Sequence, residues 1–207
     1  MDDARRVREY WFGKLPLDRE ALDGRMQVWF AGEESAQLAQ ECDAAIRAEF
    51  GARVEAALRG ELTSWADGPR RRLSLIILLD QFPRHIYRGR ARAYAGDDQA
   101  LALALSGMQS GADAALDPVE RIFFYMPLQH SESLDVQEES VAAYRRLLGE
   151  TPQALRASFE ATLKFAELHA SIIRRFGRFP HRNRVLRRVS STEESAYLRT
   201  GDSFGQT

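Results

Sequence analysis

The stretch from Leu78 to Gly89, LLDQFPRHIYRG, contains a carboxylate and a guanidinium four residues apart, with a proline between them. On a helix, Asp80 and Arg84 lie on one face at this spacing and can pair. The neighbouring residues are apolar almost all round, which is typical of a central helix, so the pair is predicted to be partly buried. Buried ion pairs rarely stabilise a protein more than apolar pairs do, and Pro83 removes a backbone donor and predicts a kink. The pattern indicates either a ligand-facing pocket or a structural salt bridge between helices.

A second polar group follows an apolar, aromatic helix that Pro127 interrupts. His130 could act as a general base, with Glu132 or Asp80 orienting its ring. The alternative is a plain helix–helix turn, in which a serine caps the next helix and Glu132 stabilises its N-terminus. The polar residues of this stretch are Gln129, His130, Ser131 and Glu132.

A third group lies in GRFPHRNRVLRR, residues 177–188, after the glycine that is predicted to end a long helix. His181, Arg182 and Asn183 are placed on a loop or a short helix, where a rigid scaffold often holds functional groups. Asn183 could equally be a local cap, and His181 could be a structural histidine. Arg84 and Arg182 are the candidates for bidentate binding of a carboxylate or phosphate.

The elements that must position these residues are all predicted to be helical. Capping signals recur, as at Asp117-Pro118 and Ser191-Thr192-Glu193-Glu194. Residues 14–34 are mixed, and MQVWFAG (26–32) within them is expected to form a packed loop or turn. The predicted fold is one all-α domain over residues 1–200, an irregular helical array, with a tail at 201–207. Helices are expected near 3–12, 35–50, 52–60, 69–87, 98–110, 118–130, 135–148, 153–176 and 192–199.

Composition limits the functional classes. The chain has 207 residues and a net charge of −1, so its overall charge favours neither a nucleic-acid nor a membrane partner. Its single cysteine, Cys42, is expected to be a core residue, and a reducing cytosol is the natural compartment. The sequence shows no secretory signal, no apolar run long enough to cross a membrane, and no metal or nucleotide motif, so neither a metal nor a cofactor is predicted.

Charge is distributed in blocks along the chain. Residues 70–92 carry seven arginines and one acid, residues 111–139 carry seven acids and one base, and residues 170–188 carry seven arginines and no acid. These blocks could simply pack as complementary helices. The sharper expectation is that some arginines remain around a cleft and bind an anion.

Four stretches together resemble the bacterial and fungal domain-of-unknown-function family 924. They are YWFG (10–13), LIILLDQFPRHIYRGRARAYAGD (75–97), MPLQHSESLDVQEESV (126–141) and FGRFPHRNRVLRRVSSTEESAYL (176–198). The resemblance covers nearly the whole chain and implies an all-helical, tetratricopeptide-like superhelical fold with no defined activity. Some members carry glutamate where this chain has Gln129, so a step that needs a carboxylate there would not extend to this chain. The motif residues that carry over are Asp80, Gln81, Phe82, Pro83, Arg84, His130, Ser131, Glu132, Pro180, His181, Arg182 and Asn183.

Because all three polar groups belong to the motif set, they are expected to form one site. The leading hypothesis is a pocket that binds a small anionic or polar molecule or a peptide terminus. The alternative is a hydrolase- or lyase-like enzyme with His130 as general base. In the third hypothesis the clusters only fasten helices or serve protein interaction. The oligomeric state stays open.

Overall fold

The computed structural model describes residues 2–30, 35–199 and 201, and these residues form helices and no strand. This confirms the predicted all-α class. The α-helices are α1 Asp3–Phe12, α2 Arg19–Trp29, α3 Ala36–Leu58, α4 Pro69–Ile76, α5 Phe82–Ile86, α6 Asp97–Gln109, α7 Pro118–Gln129, α8 Leu134–Glu150, α9 Arg156–Phe176 and α10 Thr192–Tyr197. A π-helical segment, Ile77–Gln81, joins α4 to α5. Short 3-10 helices are Thr63–Asp67, Ala91–Tyr94, Asp113–Ala115, Gln153–Leu155 and Pro180–Arg182.

Helix starts agree with the capping signals in the sequence. Asp117 accepts a hydrogen bond from the Val119 amide, and Glu120 accepts one from the Asp117 amide, which completes the capping box of α7. Ser191 and Glu194 form the same reciprocal arrangement at α10. Each box satisfies amides that the helix itself leaves without partners.

The predicted interruption near Pro83 takes the form of a π segment. Its wider turn is closed by the Phe82 amide, which donates to the Ile77 carbonyl five residues back. Pro83 has no amide hydrogen to offer the Leu79 carbonyl. Gly96 packs directly against that carbonyl, and a Cβ atom built on it would overlap the oxygen and lie 3.0 Å from the carbonyl carbon. The glycine therefore allows the start of α6 to approach the π segment.

Two sequence predictions about the first third of the chain are wrong. Arg19–Trp29, for which no helix was predicted and whose last residues were expected to be loop, form α2, and Asp18 caps it by accepting a hydrogen bond from the Ala21 amide at 2.9 Å. The predicted break at Gly51 does not occur, because α3 continues through it and buries Phe50 and Val54 on one face. An interior glycine costs only about 1 kcal/mol in a helix, which packing of this face can offset. Residues 31–34 lie outside the described part of the chain.

The core surrounds α4, the π segment and α7. Phe123 makes edge-on contacts there with Trp11 and Trp29, with ring centroids 5.4 and 4.6 Å away, and the two tryptophan rings lie tilted to each other, 6.2 Å apart. α8 packs between α7 and α9. Among the described residues, no helix combines the length and the apolarity that crossing a bilayer requires. The tetratricopeptide-like superhelix and the 1–200 domain stay predictions, and residues 202–207 of the predicted tail lie outside the described residues.

Candidate functional site

The first polar contact of the site joins the π segment to the end of α7. The Nδ1 of His130 lies 2.7 Å from Oδ1 of Asp80. Asp80 is completely buried, and its other oxygen accepts a hydrogen bond from the side chain of Gln81. Because Asp80 is an acceptor, this contact places a proton on Nδ1 and leaves Nε2 as the unprotonated nitrogen of a neutral ring. Asp80, rather than Glu132, is thus the carboxylate that contacts His130.

Two arginines meet at the first residue of α6. Arg84 forms a two-armed ion pair with Asp97, at 2.9 and 3.0 Å, and also lies 3.3 Å from Oδ1 of Asp80. Arg182 reaches the same Asp97 carboxylate at 3.4 Å. The ring of Tyr94 stacks against both guanidinium groups. Arg84 therefore already has a bidentate carboxylate partner inside the protein, whereas Arg182 has a single long contact.

Three of the four histidines of the chain are in this cluster. The ring of His169, on α9, lies 6.3 Å from that of His130, and its Nδ1 contacts the Phe165 carbonyl at 2.8 Å. Phe179 contacts His169 and His181 with ring centroids 5.5 Å away in each case. The sequence motifs predicted two of these histidines, and the structure adds the third.

Burial and positive charge keep the three imidazoles neutral. Desolvation, followed by the charge of Arg84, lowers the pKa of His130. Burial lowers the pKa of His169 to about 3 and that of His181 to about 2. Burial alone would raise the pKa of Asp80, but Arg84 and His130 outweigh it, so the pKa of this carboxyl lies below its usual value. The site therefore presents neutral rings between ionised carboxylates and guanidinium groups.

Desolvation is incompletely compensated at Arg182. Burial lowers the pKa of this guanidinium, although the charge of Asp97 opposes the change. Its Nε is buried and makes no hydrogen bond with the described residues. Phe179 and Tyr94 lie 4.5 and 4.7 Å from its central carbon and supply only cation–π contacts.

The cluster is not sealed from solvent. The side chain of Arg182 is 8% exposed, that of Arg84 10%, that of His130 13% and that of Asp97 19%, whereas Asp80 is 0% exposed. Solvent therefore reaches part of the side chains of Arg84, Arg182 and His130, but not the Asp80 carboxylate.

Glu132 and Asn183 belong to an adjoining network centred on Arg188. Glu132 accepts two hydrogen bonds from Arg188, at 2.7 and 3.0 Å, and one from the Phe179 amide at 2.8 Å. Asn183 accepts a hydrogen bond from Arg188 and donates one to Ser190. This network ties the turn after α7 to the segment that presents Arg182, so it positions the site from one side.

The remaining predicted residues have backbone or turn roles. The carbonyls of Gln129 and Ser131 both accept hydrogen bonds from the buried side chain of Gln137, at 2.7 Å. The hydroxyl of Ser131 accepts a hydrogen bond from the Ser133 amide just before α8. These contacts fix the turn that carries His130.

Sequence reasoning missed Tyr94, Asp97 and His169. Asp97 lies in the first turn of α6, and a carboxylate at a helix start gives no sign in the sequence that it also pairs with another helix. Tyr94 and Asp97 do lie in the AYAGD end of a stretch that carries the family resemblance. His169 is isolated among apolar and charged residues of α9, and only the fold brings it to the site. Among the described residues, no group of three or more histidine, cysteine or acidic side chains could hold a metal ion.

Comparison with known proteins places the chain among proteins without an assigned activity. A family model described as bacterial protein of unknown function, DUF924, matches residues 7–202. A solved structure of a protein of unknown function from Agrobacterium tumefaciens, ATU0120, is 34% identical, with a TM-score of 0.70, and the alignment covers 89% of this chain and 100% of that one. No curated protein gives a match.

Proposed function

The chain belongs to the DUF924 family of bacterial proteins of unknown function, and on that premise we propose that its polar cluster binds a small organic anion at Arg182. The ligand class is a carboxylate or a phosphate, either on a free small molecule or, for the carboxylate, at a peptide C-terminus. Both present oxygens in the planar or forked geometry that a guanidinium recognises. In this proposal Arg182 contacts the anion, while Arg84 fixes Asp97, the carboxylate that contacts Arg182.

The state of Arg182 carries this proposal. A buried guanidinium has five donors and is costly to desolvate without matched acceptors. Arg182 has a 3.4 Å contact with a carboxylate that Arg84 already engages in two shorter bonds, and its Nε has no described acceptor. Arg53 and Arg72 also have a buried Nε without an acceptor, but each makes two hydrogen bonds through its amino groups, whereas Arg182 makes one long contact with the described residues. An incoming anion would provide acceptors for the part of the Arg182 side chain that solvent reaches.

The small solvent exposure of the cluster favours a compact ligand. Arg182, Arg84 and His130 are each reached by solvent only in part, so one anionic group fits the opening better than an extended surface does. Neutral imidazoles can donate or accept hydrogen bonds without adding charge. They suit the uncharged remainder of such a molecule.

A binding screen tests the proposal. Thermal unfolding and calorimetry are measured with small carboxylates, phosphate monoesters and short peptides with free or amidated C-termini. A ligand at 100 times its Kd should stabilise the fold by about 2.7 kcal/mol. Stabilisation by peptides that is lost on amidation identifies a peptide terminus, and stabilisation by small anions alone identifies a metabolite.

A matched pair of variants assigns the site. Arg182→Gln should weaken binding at least tenfold, because it removes the positive charge and the paired N–H donors of the guanidinium. Arg184→Gln removes an exposed arginine from the same segment and should leave the affinity unchanged. Equal affinities in the two variants, or no stabilisation by any ligand of the screen, would favour a purely structural or protein-interaction role for the cluster.

A further inference from the structure

The contact between Asp80 and His130 has the geometry of an activated base. Nδ1 of the ring is fixed by the carboxylate at 2.7 Å. This arrangement selects the tautomer whose Nε2 lone pair is free to accept a proton, and the carboxylate stabilises the imidazolium that forms. Asp80 is fully buried and the His130 side chain is 13% exposed, so the part of this side chain that solvent reaches lies away from Asp80.

From this geometry we infer that His130 is a general base that activates water to hydrolyse a small anionic ester held at Arg182. The inference rests on the proposed function, because Arg182 supplies the contact with the anion. It assigns the imidazole a catalytic role and the guanidinium a binding role. The substrate class is an ester that carries a separate carboxylate or phosphate group.

Water is the nucleophile because neither candidate side chain is placed to attack. Ser131 is the hydroxyl next to His130 in the chain, and its Oγ is engaged with the Ser133 amide in the turn before α8. Cys42 lies on α3, beside Asp43, and burial raises the pKa of its thiol, which disfavours the thiolate. A water molecule at the exposed edge of His130 has no such constraint.

The reaction balances without an oxidant, a reductant or a second substrate. Nε2 of His130 takes a proton from water while the water oxygen bonds to the acyl carbon. The bond from that carbon to the alkoxy oxygen then breaks, and the imidazolium returns its proton to the leaving oxygen. A carboxylic acid and an alcohol are released, and His130 is neutral again. The positive field of Arg84 and Arg182 stabilises the negative charge that develops on the acyl oxygen.

The hydrolysis of 4-acetoxybenzoate, an acetate ester with a remote carboxylate, tests the inference. Release of 4-hydroxybenzoate is followed by absorbance, with the uncharged methyl ester of the same compound as the matched substrate. Acetate esters with a phosphate group extend the panel. The anionic esters should be hydrolysed above the buffer rate, and the methyl ester should be a poorer substrate because it lacks the group that Arg182 binds.

Two variants separate catalysis from binding. General-base catalysis contributes about 10²–10⁴-fold, so His130→Gln should lower kcat/KM at least 100-fold while the Kd of 4-hydroxybenzoate changes less than threefold. Glu193→Gln is the control, since Glu193 forms an exposed ion pair with Arg175 outside the site. It should retain the full rate.

Measurements on the unmutated protein keep the test independent of variant folding. The rate should rise with pH and level off below pH 6.5, because burial and Arg84 lower the pKa of His130 and only the neutral ring accepts a proton. Nitrogen NMR should show the proton of His130 on Nδ1. A proton on Nε2 at neutral pH would overturn the inference.

The outcomes distinguish this inference from the proposed function. Two results would refute the role of His130 as a general base and leave anion binding intact. In the first, an anionic product binds but no ester of the panel is hydrolysed above the buffer rate, and in the second, hydrolysis survives His130→Gln. If no anion of the panel binds, both fail together.

Discussion

Acidification should destabilise the protein through its buried histidines, and His169 allows the effect to be quantified. This side chain is 4% exposed, and burial lowers its pKa from 6.5 to about 3. The folded protein therefore keeps the ring neutral at pH 5, whereas the unfolded chain protonates it. Because the unfolded state binds more protons, the free energy of unfolding decreases as the pH falls below 6.5.

The size of this effect follows from the two pKa values. Between pH 7 and pH 5, the unfolded chain gains about 2 kcal/mol from protonating this one histidine, at 1.36 kcal/mol for each pH unit once the ring titrates. The loss continues until the pH falls through the folded pKa near 3. His130 and His181 act in the same direction, since their pKa values are lowered as well.

Urea unfolding at pH 7 and pH 5 measures the effect, with His169→Asn as the comparison. Asparagine can donate to the Phe165 carbonyl as Nδ1 of His169 does, at 2.8 Å, but it does not titrate. The difference in unfolding free energy between the two pH values should be smaller in the variant by about 2 kcal/mol. If both proteins lose the same stability on acidification, His169 is not held neutral by burial and the electrostatic description of the cluster is wrong.

Two further predictions concern the scaffold of the site. Gly96→Ala should destabilise the protein by about 1–3 kcal/mol in thermal or urea unfolding, because its Cβ would overlap the Leu79 carbonyl oxygen. Gly149→Ala in α8 meets open space and should be neutral or stabilising by up to about 1 kcal/mol, so destabilisation by both would contradict the packing argument. Glu132→Ala should cost about 1–3 kcal/mol and accelerate proteolysis of the 177–190 segment, since it removes three hydrogen bonds. Glu193→Ala breaks an exposed ion pair and should change stability by less than about 0.5 kcal/mol, and equal effects of the two glutamate variants would refute the role given to Glu132.

The sequence was sufficient for the fold class because capping and apolar periodicity are local signals. Asp117 and Ser191 mark the starts of α7 and α10 in the sequence, because each caps its helix through contacts within three residues. Such signals fail where packing decides the outcome. Gly51 does not end α3, because the helix buries a continuous face on both sides of it, and the mixed composition of α2 conceals a helix that buries Leu22 and Trp29.

The site was predictable only as a set of candidates. The spacing of Asp80 and Arg84 indicated a buried pair, and the structure places them 3.3 Å apart. Spacing along the chain cannot show that Asp97 engages Arg84 more closely, or that Glu132 pairs with Arg188 at a separation of 56 residues. These partners are set by how helices pack, which no local pattern encodes.

Two consecutive residues of α5 are attached to opposite neighbours. Arg84 pairs with Asp97 of α6, and His85 contacts Asp43 of α3. The Asp43 carboxylate also accepts a hydrogen bond from Arg88 at 2.8 Å. This five-residue helix therefore has polar contacts with α6 on one side and with α3 on the other. A displacement of α5 that separates Arg84 from Asp97 would also strain the contact between His85 and Asp43. A ligand that displaces Arg84 together with α5 would therefore also change the contacts of Asp43, a carboxylate that it does not touch.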